Sequence, residues 1–267
     1  MSWPRILCAC VLLVMASAVR AVAPLPSTVF VEDLTWTELR DLVQSGKTTA
    51  IIPVGGTEQS GPHMALGKHN VRVHVLAGRI AASLGNALVA PVIAYVPEGS
   101  VKPPSAHMRF PGTITVPDAA FETTLEYAAR SLRLAGFRDI VLIGDHGGYQ
   151  RNLAHVAERL NREWAGSPVR VHAVLEYYEA AERDYARALE RAGYKPAEIG
   201  SHAGLWDTAL ALAVDPKLVR ADQLRDAGPA QGVHGDPRRA TAELGAQGLD
   251  IIVARTRDAI QRETARH

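Results

Sequence analysis

The sequence predicts an α/β fold in which helices cover both faces of a mostly parallel sheet. Two short apolar runs, at 49–54 and 140–143, have the length of buried strands, and a glycine-rich segment follows each one. Segments with apolar residues at helical spacing alternate with such runs along the chain. Strands that alternate with helices of this kind are typical of a three-layer α/β/α architecture.

The elements can be assigned in chain order. Thr35 and Glu38 form a capping pattern for a first helix that runs through residue 42, and Gly46 ends it. No internal repeat or low-complexity linker divides the rest of the chain, which indicates one domain. The predicted strands are 49–54, 87–92, 140–143 and 169–175, and the later predicted helices are 71–84, 121–135, 153–164, 179–192, 208–214 and 240–264.

The first 21 residues differ in character from the rest. Arg5 precedes an almost wholly apolar stretch at 6–19, which is too short for a membrane span. Small residues suited to cleavage stand at 16–18 and at Ala21. We interpret residues 1–21 as a signal peptide and 22–267 as the mature domain, with an uncleaved anchor as the alternative. The protein is then exported, periplasmic or secreted, and has no stable membrane anchor.

Composition excludes several kinds of chemistry and partner. Both cysteines, Cys8 and Cys10, lie in the leader, so the mature chain has no thiolate nucleophile, disulfide or cysteine-bound zinc. The net charge of +1 and the scattered basic residues give no indication of nucleic-acid binding. Any metal must be held by histidine and carboxylate side chains.

Three polar, glycine-containing segments each combine histidine with a carboxylate. They lie at 53–70, 144–150 and 200–208, and the first two directly follow predicted strands. Ligands bind beyond the carboxyl ends of parallel strands, so these two segments are expected at one edge of the sheet. Imidazole and carboxylate are the ligands of catalytic zinc or manganese sites, which the three segments together indicate.

At these residues the chain resembles the creatininase (creatinine amidohydrolase) family. Residues 53–63 are similar to its Pro-Val-Gly-Ser-x-Glu-Gln-His-Gly-Pro-His signature, and the segment 144–150 to its Gly-His-Gly-Gly-Asn stretch. Residues 202–208 are similar to His-Ala-Gly-Glu-x-Glu-Thr, and 110–113 match Phe-Pro-Gly-Thr. The resemblance covers nearly the whole mature chain. It implies a creatininase-like α/β/α fold, a metal centre that activates water, and a homo-oligomer, often a hexamer.

The resemblance carries the site over only in part. Ser60 and Gly148 stand where creatininase has ligands, and His69 stands where it has a metal-bridging aspartate. An intact two-metal centre is therefore not expected. The predicted ligands of a one-metal site are Glu58, His69, His146 and Asp207, of which His69 could instead be a surface residue and Asp207 a helix cap.

The remaining site residues come from the same segments. The resemblance implies that His202 moves protons, and Asp145 could orient His146 or bind substrate. The predicted substrate-binding residues are His63, which could also simply pack its turn, His107 beside the Phe-Pro-Gly-Thr stretch, and Tyr178, where creatininase has a tryptophan.

The predicted function is hydrolysis of a C–N bond, in a cyclic amide or an amide, by metal-activated water acting on a small molecule. Zinc is the favoured ion, with manganese or iron as alternatives. A non-catalytic exported ligand-binding protein on the same fold is the alternative function. A serine hydrolase is disfavoured because Ser60 lacks the Gly-x-Ser-x-Gly elbow.

Overall fold

The computed structural model describes residues 26–266. The predicted signal peptide at 1–21 lies outside the described residues. Within the described range, no helix is both long and apolar enough to cross a membrane.

The centre of the fold is a parallel sheet of four strands in the order β2-β1-β3-β4. Helices connect the strands, as parallel pairing requires. The strands are β1 Thr49–Val54, β2 Ala87–Val89, β3 Asp139–Gly144 and β4 Arg170–Ala173. The helices are α1 Trp36–Gln44, α2 Lys68–Leu84, α3 Asp118–Leu134, α4 Gln150–Glu163, α5 Glu176–Glu179, α6 Ala186–Arg191, α7 Pro196–Ile199, α8 Leu205–Val214 and α9 Ala242–Thr264.

Side chains alternate across the sheet and build one core on each face. Ile51 and Val141 pack in the core covered by α2, α5, α8 and α9. Ile52 and Leu142, their neighbours along β1 and β3, pack in the opposite core under α1, α3 and α4. This period of two is the property of a strand buried on both faces, and it confirms the predicted three-layer architecture.

Several element boundaries differ from the prediction. β2 ends at Val89, and Pro91 two residues later has no N–H to donate to a ladder. The predicted helix at 179–192 begins earlier, at Glu176, and a π-helical segment at Ala180–Tyr185 joins α5 to α6. α7 has Pro196 in its first turn, and four residues are too few for a periodic signal.

The topology brings the polar segments together. β1 and β3 pair in register from Thr49 with Asp139 to Val54 with Gly144, so the segments after them leave the sheet side by side. α2 begins at Lys68, directly after the first segment, and α8 begins at Leu205 within the third. The first turns of both helices therefore lie at the carboxyl edge of the sheet.

Candidate metal centre

A pocket of about 150 Å³ opens at the carboxyl edge of the sheet. Its walls come from all three polar segments, from the loop after β2 and from α5. It is lined by Glu58, Lys68, His69, His107, Asp145, His146, Gly147, Tyr178, Ser201, His202, Trp206 and Asp207.

Four side chains on one side of this pocket offer metal-ligating atoms to a common point. They are Glu58, Glu98, His107 and His146, whose candidate ligand atoms all lie within 4.8 Å of one another. Glu58 Oε2 is 3.1 Å from His107 Nε2 and 3.3 Å from His146 Nε2. Ligands of a tetrahedral zinc are roughly 3.4 Å apart, given bond lengths of about 2.0–2.1 Å, so these spacings fit an ion.

The carboxylate oxygens of this group support the same assignment. Among the described residues, neither Glu58 Oε2 nor either oxygen of Glu98 has a hydrogen-bond partner, although all three are buried. Leaving a buried carboxylate oxygen unpaired is costly, and a bound cation removes that cost. A side chain at Gly56 would place its Cβ 2.7 Å from Glu98 Oε1, so glycine there leaves room for this carboxylate.

The protonation of the group suits a metal. Burial favours a protonated Glu58, but the neighbouring imidazoles of His146 and His69 outweigh it and hold the pKa of Glu58 well below its ordinary value. Burial lowers the pKa of His107, which keeps this imidazole neutral. Burial alone would also lower the pKa of His146, but the contact with Glu58 raises it overall. A divalent ion would displace that proton.

The opposite side of the pocket is a buried network of ion pairs. Arg72 of α2 binds Asp145 through Nε, 2.9 Å from Oδ2, and Asp207 through Nη1, 2.7 Å from Oδ1. Lys68, one helical turn earlier, contacts the other oxygen of Asp207. His69 contacts Asp145 through Nδ1 at 2.6 Å and Glu58 through Nε2 at 2.7 Å. Tyr177 donates to Asp145 at 2.7 Å and completes the network.

Two of the four sequence-predicted ligands therefore take part in different interactions. The two ring nitrogens of His69 lie within hydrogen-bond distance of Asp145 Oδ2 and Glu58 Oε1. Both oxygens of Asp207 are held by Lys68 and Arg72. Glu58 and His146 belong to the four-residue group, and in this arrangement His69 and Asp207 do not.

Asp145 lies against a different histidine from the one expected. The sequence indicates that it could orient His146, but its carboxylate contacts His69, Arg72 and Tyr177. Burial opposes ionisation of Asp145, and Arg72 outweighs it, so the pKa of this carboxyl is lowered. Asp145 lines the pocket as a charged anchor of the network.

His202 stands between the two sides of the pocket. Its Nε2 lies 3.0 Å from the backbone carbonyl oxygen of Gln59 and 3.2 Å from the side-chain amide nitrogen of the same residue. Nδ1 is 3.7 Å from Glu58 Oε1. Burial, aided by Lys68, lowers the pKa of His202 to about 3, so the imidazole is neutral at neutral pH.

Strained backbone flanks two of the site histidines. Ala106 has φ of 47° and Ala203 has φ of 54°, and within residues 26–266 these are the non-glycine residues with positive φ. They lie directly beside His107 and His202. Left-handed conformations of this kind cost about 1–2 kcal/mol and concentrate at functional sites.

The predicted substrate-binding residues fall in three places. Tyr178 lines the pocket, and His107 both lines it and joins the metal-ligating group. His63 is fully buried, with Nε2 3.0 Å from the Thr208 hydroxyl, and it lines neither this pocket nor the cavity outside it.

A second, outer cavity of about 530 Å³ shares His107 and His202 with the pocket. Arg109 is exposed in its wall and forms no ion pair with any described residue. The remaining walls are Gln59, Ala106, Phe110, Pro229, Gly232 and His234. A substrate can therefore extend from the metal-ligating group past the two histidines toward solvent.

Glu98 is the site residue that the sequence interpretation missed. It follows Val96 and Pro97 in the irregular loop after β2, outside the three polar segments. A carboxylate beside Pro97 and Gly99 in a loop at the carboxyl edge is a weak signal, because many surface loops share it. Burial at 3% exposure distinguishes Glu98, and only the folded chain reveals it.

Comparison with known proteins gives a consistent result. The family model described as "Creatininase: Creatinine amidohydrolase" matches residues 32–260. The creatinine amidohydrolase of Pseudomonas putida is 29% identical over 259 residues, 88% of this chain and 97% of that protein. The mycofactocin precursor peptide peptidase of Mycolicibacterium smegmatis is 30% identical over 239 residues, 79% of this chain and 84% of that protein.

A solved structure described as "Creatininase Mn" superposes with a TM-score of 0.77. It is 28% identical and covers 89% of this chain and 99% of its own. By their names, the two protein relatives act on different kinds of molecule. The similarity therefore covers the fold, while the substrates of the relatives differ.

Proposed function

Because this chain belongs to the creatininase family, we propose that it is a metal-dependent hydrolase that cleaves the C–N bond of an amide or cyclic amide in a small molecule. The observation that carries this proposal is the group of Glu58, Glu98, His107 and His146. Its buried carboxylate oxygens lack hydrogen-bond partners within the described part of the chain. These residues would hold a divalent ion, for which zinc and manganese are the leading candidates.

When bound, a divalent ion polarises the substrate carbonyl and acidifies water. The chain's own residues supply the proton movements. The neutral imidazole of His202 lines the pocket and can accept a proton from water. Once protonated, it can pass that proton to the departing nitrogen.

The test is hydrolysis of a panel of cyclic amides, acyclic amides and short peptides, each with and without a free carboxylate. We expect at least one to be turned over, with activity lost on chelation and restored by zinc or manganese. Arg109 lines the outer cavity and pairs with no carboxylate among residues 26–266, so the carboxylate-bearing members are the first to try. No turnover together with no metal uptake would instead favour an exported ligand-binding protein.

Metal affinity should depend on pH through Glu98. Burial raises the pKa of its carboxyl to about 7; His146 opposes this and Glu58 adds to it. Below that pH the metal-free protein keeps a proton on Glu98, which an incoming ion must displace. We expect affinity to fall by about tenfold per pH unit below 7 from this group and to level off above it.

The measurement is calorimetric titration with zinc at pH 6 and pH 8 in buffers of different ionisation enthalpy, which counts the protons released. The wild type should release more protons at pH 6. Glu98→Gln, which carries no titratable group, should reduce the difference. Equal proton release at the two pH values would contradict the assignment of Glu98.

A further inference from the structure

We infer that this centre holds one ion per chain and that the ammonium group of Lys68 is the built-in cation on the other edge of Glu58. The inference rests on the proposed function, since it concerns the same pocket. It assigns Lys68 a positioning role that the mechanism above does not use.

Lys68 is an unusual residue for the first turn of a helix. Its side chain is 1% exposed, although lysine is among the residues least often fully buried. The ammonium contacts Asp207 and lies 3.7 Å from Glu58 Oε1. It also lines the pocket, so it faces the space where substrate would bind.

The two carboxylate oxygens of Glu58 face different partners, and the edges of the pocket are named here after them. Its Oε2 atom faces His107 and His146, the candidate ligands. Its Oε1 atom faces His69 at 2.7 Å and Lys68 at 3.7 Å. The Oε1 edge is thus already filled by hydrogen-bond donors, and only the Oε2 edge is free to bind an ion.

Charge gives the same result. On the Oε1 side the buried ammonium of Lys68 and the buried guanidinium of Arg72 already lie against the carboxylates of Glu58, Asp145 and Asp207. A divalent ion added there would place two further positive charges beside two buried cations, which is strongly unfavourable.

Glu98 lies on the Oε2 side, where both of its oxygens have no hydrogen-bond partner in the described part of the structure. The free ligand atoms therefore lie on the side away from Lys68 and Arg72. Lys68 directs a single ion to that side by occupying the other.

The experiment is a manganese titration of the full-length wild type and Lys68→Met, followed by elemental analysis after removal of free metal. Methionine keeps the length and bulk of lysine without its charge. We expect one ion per chain in the wild type and uptake of a second by Lys68→Met. Lys47→Met is the control, because Lys47 donates to the Gly85 carbonyl on the exposed surface, and this variant should bind one ion per chain.

The outcomes separate the two claims. Two ions per wild-type chain, or a single ion in folded Lys68→Met, would overturn the role of Lys68 and leave the hydrolase proposal standing. No ion in the wild type would overturn both. If Lys68→Met does not fold, the spin-resonance spectrum of the manganese-saturated wild type decides. An isolated-ion spectrum is expected, whereas coupling between ions about 3.5–4 Å apart would refute the inference.

Discussion

Replacing His202 with alanine should lower kcat by about 10²–10⁴-fold while leaving one metal ion bound, since that is the usual contribution of a positioned acid–base group. The imidazole reaches the pocket through Nδ1 and is held by the Gln59 carbonyl through Nε2. It is not one of the four metal-ligating groups, so its removal should spare metal content. The measurement pairs kcat on the best substrate of the panel with elemental analysis of the same sample.

The control for this variant is His155→Ala. His155 is exposed on α4, where it pairs with Glu122 at 3.1 Å, and it does not line the pocket. Its removal should change neither kcat nor metal content. Turnover by His202→Ala at the wild-type rate would refute the proton-transfer role, and parallel loss of metal would show that His202 acts on the ion's site instead.

Replacing Arg72 with methionine should lower the free energy of unfolding by about 3–5 kcal/mol, the usual cost of removing one partner from a buried ion pair. Arg72 is fully buried and neutralises both Asp145 and Asp207. Burial opposes its charge, but the two carboxylates outweigh this and raise its pKa above the ordinary value. Without the guanidinium, Asp207 keeps its contact with Lys68, whereas Asp145 keeps the contacts with His69 and Tyr177 and loses its arginine.

Arg79→Met on the same helix is the matched control for stability. Arg79 pairs with Asp250 at 2.6 Å, but the two side chains are 40% and 74% exposed. Exposed pairs contribute about 0–1 kcal/mol, so this variant should unfold near the wild-type urea midpoint. Similar losses in the two variants would contradict the assignment of Arg72 as the central cation of the network.

Much of the fold can be predicted from sequence because local patterns specify it. The strand at 49–54 is observed with the predicted bounds, and β3 extends the predicted 140–143 by one residue at each end. Continuous apolar runs of this length followed by glycine have few alternative structures. The family resemblance is confirmed by the match over 32–260. The π-helical segment at 180–185 escapes prediction because its residues fit an ordinary helix equally well.

The site is less predictable because its chemistry depends on which side chains meet. Glu58 and His146 could be placed from their motifs. Sequence could not show that Lys68 and Arg72 would both turn inward and engage Asp207, which removes that carboxylate from the candidate ligands.

The lack of a ligand two residues after His146 has a physical explanation. A side chain at Gly148 would bring its Cβ within 2.8 Å of the His146 ring, so this loop has no room for a ligand there. Glu98 and His107 instead approach from the loop after β2, which no periodic pattern describes.

The most direct test is a crystal structure of the zinc-loaded protein with anomalous diffraction recorded at the zinc edge. The proposed function predicts one peak per chain, about 2.0–2.2 Å from ligand atoms of Glu58, Glu98, His107 and His146. A peak bound by His69 or Asp207, or no peak in this pocket, would contradict it.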